Sequence, residues 1–269
     1  MELKFIYPRW GSAHIPWPEF LKKVKECGYA GVEIDLPLGK EKQEILSILK
    51  DFELDFVGQH WETKATDFET HKEQYKRYLY NLVEGEPLLI NSHTGMDFFS
   101  FDENAALLSS AFDIEKETGT PITHETHRSR FSFAAHVCRK FLDAFPELKL
   151  TSDFSHWCCV AETLLENQLE TVELAIKHSF HIHARVGSSQ SAQVIDPRSD
   201  TYAMELTQFK KWWKQMLLNG QEMGRKYITI TPEYGPEPYA LLHPNTKQLL
   251  ADQWEVNQFI KEEIIKSWA

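Results

Sequence analysis

Four short β-prone runs in this chain each end in a side chain able to bind a metal: 121–125 (PITHE), 148–153 (LKLTSD), 179–183 (SFHIH) and 228–233 (ITITPE). Loop residues and then a helical pattern follow each of them. Glu125, Asp153, His183 and Glu233 are far apart in sequence yet hold the same place in a repeating unit. If the units pack side by side, the four groups converge on one point. Three carboxylates and an imidazole gathered in a cleft are strongly unfavourable without a cation. The pattern therefore predicts a metal-dependent enzyme. A hard, oxygen-rich donor set suits Mn²⁺ or Mg²⁺, with Zn²⁺ or Co²⁺ as further candidates.

The elements that must position these groups repeat eight times. Strand candidates fall at 3–7, 31–36, 54–60, 87–92, 121–126, 148–154, 179–184 and 227–231. Helical patterns lie near 18–27, 40–52, 67–83, 102–118, 132–144, 162–177, 207–222 and 247–266. Pro18 suits a first helical turn, and Phe20, Leu21, Val24 and Cys27 form an apolar stripe that ends at Gly28. Ser132 is placed to cap a helix whose buried face is Phe133, Val137, Phe141 and Leu142. Trp212, Trp213, Met216 and Leu217 face inward before Gly220 breaks the pattern. Strict strand–helix alternation argues for a parallel sheet with helical crossovers. Eight units in 269 residues fit an α/β fold of the (β/α)8 TIM-barrel type, read as a single domain over 1–269. No GxGxxG follows the first strand, which weakens a dinucleotide-binding alternative.

In such a barrel the active site lies at the carboxyl ends of the strands. This chain offers Arg9 and Trp10, Glu33 and Asp35, His60 and Trp61, and Ser92 and His93 there. Later strands offer Glu125 and His127, Asp153 and His156, His183 and Arg185, and Glu233.

Composition bounds the partners. Hydrophobic content of 42% and charged content of 26% are those of an ordinary globular protein. A net charge of −11 disfavours nucleic acid, and no run approaches a membrane span. The first residues, MELKFIYPRW, show no signal-peptide pattern, and the four cysteines lack any CxxC spacing. A cytoplasmic protein with reduced thiols is expected, acting on a small molecule. Whether it forms a homo-oligomer stays open.

The segment 26–36 (ECGYAGVEIDL) is similar to the second-strand entry of the xylose-isomerase-like TIM-barrel superfamily. That group includes sugar phosphate isomerases and epimerases, inosose dehydratases and endonuclease IV. The resemblance runs in order along essentially the whole chain. Its most specific parts are Asp153-Phe-Ser-His156, His181-Ile-His183-Ala-Arg185 and Glu233. It implies one divalent cation held by Glu125, Asp153, His183 and Glu233, with Glu125 and Glu233 also moving protons through an enediolate. It implies that His156 orients a substrate oxygen and that Arg185 holds a hydroxyl or a negative group, a role Arg198 could share. The family pattern matches His183 rather than His181. Strand alternation agrees, since 181, 183 and 185 share a face and only the later positions reach the mouth. In the endonuclease IV branch extra zinc ions use histidines at positions matched by His60, His93 and His156. The further Asp-x-His falls on Asp196-Pro197-Arg198, and arginine does not ligate metals. His60 and His93 remain candidates for substrate contacts or a second ion.

The long connection 186–205 reads as an active-site lid. Trp10, Trp61 and Trp157 could stack on a sugar's C–H face. The expected activity is therefore a metal-dependent isomerase or epimerase of a sugar, sugar acid or sugar phosphate. An inosose-type dehydratase, an endonuclease IV-like phosphodiesterase and a non-catalytic sugar-binding barrel are the alternatives.

Overall fold

The computed structural model describes residues 1–268. Eight parallel strands close into a barrel in sequence order: β1 (Glu2–Pro8), β2 (Gly31–Ile34), β3 (Asp55–His60), β4 (Ile90–Ser92), β5 (Ile122–Glu125), β6 (Leu150–Ser152), β7 (Ser179–Ala184) and β8 (Tyr227–Pro232). Closure is made by β1 against β8, in register from Glu2↔Tyr227 to Phe5↔Ile230. The expected (β/α)8 barrel is the observed fold.

Alternation along the strands separates two environments. Val32, Ile34, Ile90, Ile122, Leu150, Ile182, Ala184, Ile228 and Ile230 belong to the large core shared with the helices. Ile6, Val57 and Leu89 form a separate small apolar cluster. The intervening positions are polar, and they bond to one another across strands: Thr123 to Thr151 at 2.6 Å and His181 to Thr229 at 2.7 Å. Apart from that small cluster the barrel interior is polar, so hydrogen bonds must fix the side chains there.

The helices are α1 (Trp17–Glu26), α2 (Lys40–Asp51), α3 (Phe68–Val83), α4 (Phe101–Thr118), α5 (Ala135–Ala144), α6 (Phe154–Ala161), α7 (Leu169–Lys177), α8 (Ala203–Glu222) and α9 (Gln253–Trp268). The helix expected over 162–177 is observed only as α7 (Leu169–Lys177), and an additional helix, α6 (Phe154–Ala161), comes before it. Asp153 caps α6 by accepting from the Ser155 backbone N–H at 3.0 Å, and left-handed backbone at Glu162 (φ 54°) and Leu165 (φ 60°) separates α6 from α7. Ser132 does not cap α5, which begins only at Ala135; the Ser132 hydroxyl donates to the Glu125 carbonyl. The buried face of α5 is Ala135, Cys138, Phe141 and Leu142, one step round from that expected. Gly220 does not end α8; it is buried inside it, and the chain turns at Gly224 (φ 69°). The four cysteines are free, and among the described residues no helix is long and apolar enough to cross a membrane.

Gly31 lets β2 and β3 approach, since a Cβ there would lie 2.1 Å from the Asp55 carbonyl oxygen. That atom belongs to the backbone and cannot rotate away. Gly31→Ala is therefore expected to lower the unfolding free energy by about 1–3 kcal/mol or more. Urea denaturation of the variant checks this, and an unchanged midpoint would show that the strands can separate freely.

Candidate metal centre

Glu125 is the last residue of β5, Asp153 follows β6, His183 lies near the end of β7, and Glu233 follows β8. All four are buried, and each offers a ligand atom within 4.8 Å of the others. The sequence-based convergence is observed as geometry.

His183 is held from behind. Its Nε2 lies 3.0 Å from Glu33 Oε1 and 3.1 Å from Oε2. Glu33 is fixed in turn by Asn91 Nδ2 at 3.0 Å and by the Thr231 hydroxyl at 2.6 Å. This leaves His183 Nδ1 turned toward the carboxylates, 2.7 Å from Glu233 Oε2 and 3.5 Å from Glu125 Oε2. Despite that proximity, Nδ1 is buried without a hydrogen-bond partner. A carboxylate behind one ring nitrogen and an unsatisfied second nitrogen facing three acids is how metal-binding histidines are held.

Asp153 has two jobs. Its Oδ1 accepts from Ser155 as the cap of α6, while Oδ2 faces the site. There the Arg185 guanidinium bridges two of the acids, with Nε donating to Asp153 Oδ2 at 2.9 Å and Nη2 to Glu233 Oε2 at 2.7 Å. Gln193 Oε1 and the Trp10 and Tyr239 rings steady the same guanidinium.

The charges are out of balance. Glu33, Glu125, Asp153 and Glu233 are four buried carboxylates, and Arg185 with a protonated His183 offsets only two. Titration directions record the strain. Burial pushes Asp153 up to about 6; Arg185 opposes this, and Glu233 and Glu125 add to it. For His183, burial works against its charge, but Glu233, Glu33 and Glu125 hold it well above the usual histidine range. Burial also opposes charge on Glu125, yet His93 and His183 hold it well below the carboxylate range. An orphaned ligand nitrogen and surplus buried negative charge fit a divalent cation held by Glu125, Asp153, His183 and Glu233.

The other expected site residues divide. The centre opens into a cleft of about 480 Å³, lined among others by Trp10, Trp61, His93 and Arg185. His93 Nε2 lies 2.8 Å from Glu125 Oε2. His60 is not in the cleft. It shares the face of β3 that carries Phe56, packs on Tyr75 of α3, and has both nitrogens engaged, by Ser92 at 3.0 Å and Thr63 at 2.7 Å. The inward residue of that strand end is Gln59, which lines the cleft. His60 is thus a satisfied core histidine, not a substrate group or a ligand for a second ion.

His156 is wholly buried behind the centre, 3.6 Å from Asp153 Oδ2 and packed on His127, with neither ring nitrogen hydrogen-bonded. It does not line the cleft. Arg198 does not reach it either; Asp196 and Glu255 hold its guanidinium at 2.9 and 3.0 Å. Trp157 is a core residue stacked on Phe154, its indole N–H bonded to the Ser132 carbonyl. The 186–205 segment packs as fixed wall, with Ala192, Gln193 and Val194 buried. His181 is the interior histidine expected, bonded to Thr229.

Glu33, which Asn91 joins to Glu125, and His127 were read as strand-end residues without a role; Asn91, Arg130 and Tyr239 were not among the expected site residues. Glu33 carried a signal: an acid on the inward face of an otherwise apolar strand.

No family model matches the sequence, and no curated protein matches it. Solved structures share its fold. A xylose isomerase domain containing protein from Salmonella typhimurium superposes with a TM-score of 0.64 at 13% identity, over 99% of this chain and 97% of that one. D-allulose 3-epimerase from Methylomonas sp., solved in complex with D-allulose, gives 0.63 at 16% identity over 99% and 97%. Endonuclease IV from Thermus thermophilus gives 0.61 at 10% identity over 99% and 98%. The resemblance read from the sequence to the xylose-isomerase-like barrels is borne out at the level of the fold.

Arg185 and Arg198 both sit in two ion pairs, but only Arg185 is buried. Arg185→Gln leaves two buried carboxylates facing each other and is expected to cost about 3–5 kcal/mol in metal-free buffer. Arg198→Gln, at a largely hydrated pair, should cost only ~0–1 kcal/mol. Chemical denaturation of the two variants side by side checks the contrast; equal losses would refute it.

Proposed function

We propose that this chain is a divalent-metal-dependent isomerase or epimerase of a sugar, sugar acid or sugar phosphate, working by carboxylate-mediated proton transfer. The observation that carries the proposal is the convergence of Glu125, Asp153, His183 and Glu233, with Glu33 turning the free His183 nitrogen toward the three acids. A cation bound by these four residues would supply Lewis acidity to the carbonyl and hydroxyl oxygens of a substrate.

The protein's own groups do the rest. Glu125 stays charged at neutral pH, the state a proton acceptor needs, and its oxygen is steered by His93 at 2.8 Å and Asn91 at 2.9 Å. It would take the proton from the carbon beside the substrate carbonyl and become the neutral acid. Glu233 rises from β8, three strands round the barrel, with Arg185 fixing its carboxylate. Glu233, protonated from solvent, would return a proton to the opposite face of the same carbon and invert its configuration; delivery to the neighbouring carbon, with the hydroxyl proton passing between the two substrate oxygens, would move the carbonyl. Trp10, Trp61 and Tyr239 supply aromatic faces around the cleft for a sugar ring.

An inosose-type dehydratase would share the proton removal and differ only in expelling a hydroxyl from the adjacent carbon. A nuclease with a multi-zinc cluster is less well supported: His60 faces the helices, and Arg198 stands at the position of a required histidine. The shared fold supports the enzyme reading without choosing among these chemistries.

Calorimetry with Mn²⁺ should give one equivalent bound to the wild-type protein, and Asp153→Asn should abolish it. Glu125→Gln and Glu233→Gln should each slow turnover by roughly 10²–10⁴-fold or more, since each removes a ligand and a proton carrier. Turnover in D₂O should place deuterium at the carbon beside the carbonyl. Product and recovered substrate free of label would instead indicate a hydride shift and overturn the proton-transfer mechanism.

A further inference from the structure

The cleft contains basic groups that the metal chemistry does not use. Arg130, in the loop after β5, lines it and is buried at 7% exposure. Its Nη1 makes only long contacts, to the carbonyl oxygens of Thr63 at 3.4 Å and Gly95 at 3.3 Å and to Met96 Sδ at 3.5 Å, and its buried Nε has no hydrogen-bond partner. Among the described residues no carboxylate lies within ion-pair distance of it. Burial without a counter-ion pulls its pKa down from the usual arginine range, against the more distant charges of Glu125 and Asp97.

One further cation shares this position. Lys64 follows Thr63, whose carbonyl Arg130 touches, so the two basic residues belong to one wall of the cleft. Lys64 Nζ stands 4.2 Å from the centre of the Trp61 ring and pairs with no acid. Arg128 lies with its guanidinium 5.1 Å from the ring of Tyr239, itself a cleft residue, and also pairs with no acid. Arg9 also lines the cleft, with its buried Nη1 lacking a hydrogen-bond partner, but its guanidinium donates to the Ile15 carbonyl at 2.7 Å, a normal bond that Arg130 Nη1 lacks. A buried guanidinium without a partner is unfavourable unless an anion completes it.

We infer that the wall formed by Arg130 and Lys64 is a subsite for an oxyanion carried by the substrate, so that the carbohydrate is a sugar acid or a sugar phosphate rather than a neutral sugar. The inference rests on the proposed carbohydrate chemistry of the same cleft. A planar guanidinium takes a carboxylate or phosphate through paired N–H donors, and the mobile Lys64 ammonium adds charge from the solvent side. Trp61 lines the cleft next to Lys64 and offers an aromatic face to a ring attached to the anion.

The test is calorimetric binding to the Mn²⁺-treated protein of three probes that share one skeleton: D-fructose, D-fructose 6-phosphate and D-fructuronate. At least one anion is expected to bind ten times or more tighter than fructose, a gap of about 1.4 kcal/mol. Which anion wins separates phosphate from carboxylate. Lys64→Gln, an exposed change that leaves the core intact, and Arg130→Gln should each reduce that preference at least threefold. Equal affinity for fructose and both anions overturns the subsite, as does a preference that neither variant alters, or no binding of any probe. Mn²⁺-dependent binding of fructose with no anion preference would sink the subsite and spare the isomerase proposal. Anion binding that needs Lys64 and Arg130 but ignores Mn²⁺ would do the reverse.

Discussion

Three carboxylates whose ligand atoms lie within 4.8 Å of one another, with a fourth, Glu33, behind His183, are the constraint around which this barrel is arranged. Each isolated ion taken from water into a protein interior costs several kcal/mol, and neighbouring like charges add to that. The fold answers in layers. Arg185 ties Asp153 to Glu233, His183 stands between Glu233 and Glu33, and Asn91 bridges Glu33 to Glu125. Thr231 and His181 complete the base of the network from β8 and β7. The polar lining of the barrel follows from this requirement. An apolar interior could not supply the donors that hold acids in place so near the strand ends.

What was legible in the sequence came from position within a repeating unit. Glu125, Asp153, His183 and Glu233 each end a β-prone run, so the eightfold alternation was enough to predict their convergence. His183 was separable from His181 by counting along one strand, because side chains two apart share a face. The same count applied to β3 would have excluded His60. Val57 and Gln59 point into the barrel there, and His60 turns with Phe56 toward the helices. A histidine beside a tryptophan at a strand end looked functional by composition, yet a single step along the strand reverses the face.

The remaining misreadings arose where one side chain serves two structures. Asp153 reads as a strand-end ligand, but its second oxygen starts α6, and that unexpected helix buries His156 and Trp157 behind the centre. Ser132 was a plausible helix cap by type; its hydroxyl instead supports the carbonyl of Glu125 and its carbonyl accepts from Trp157. Both choices are set by tertiary contacts, which local propensity does not register. The 186–205 segment had the length and composition of a lid, but Gln193 and its buried neighbours make it the support of Arg185.

The cleft thus carries two opposed fields. Its floor has more acid than base, and one wall carries two bases, Lys64 and Arg130, that pair with no acid among the described residues. A neutral sugar would respond to neither polarity beyond its hydroxyl hydrogen bonds. A substrate with an electron-rich carbonyl at one end and an oxyanion at the other would use both, with the cation-seeking floor fixing the reactive carbon and the basic wall fixing the distal group. Two anchors of different kinds would also define direction, which matters for the proposed proton transfer because Glu125 and Glu233 would act on specified faces of one carbon. The overall negative charge of the chain is compatible with such a ligand. At physiological salt exposed charges farther off than about 8 Å are largely screened, and the local groups of the cleft then decide what enters.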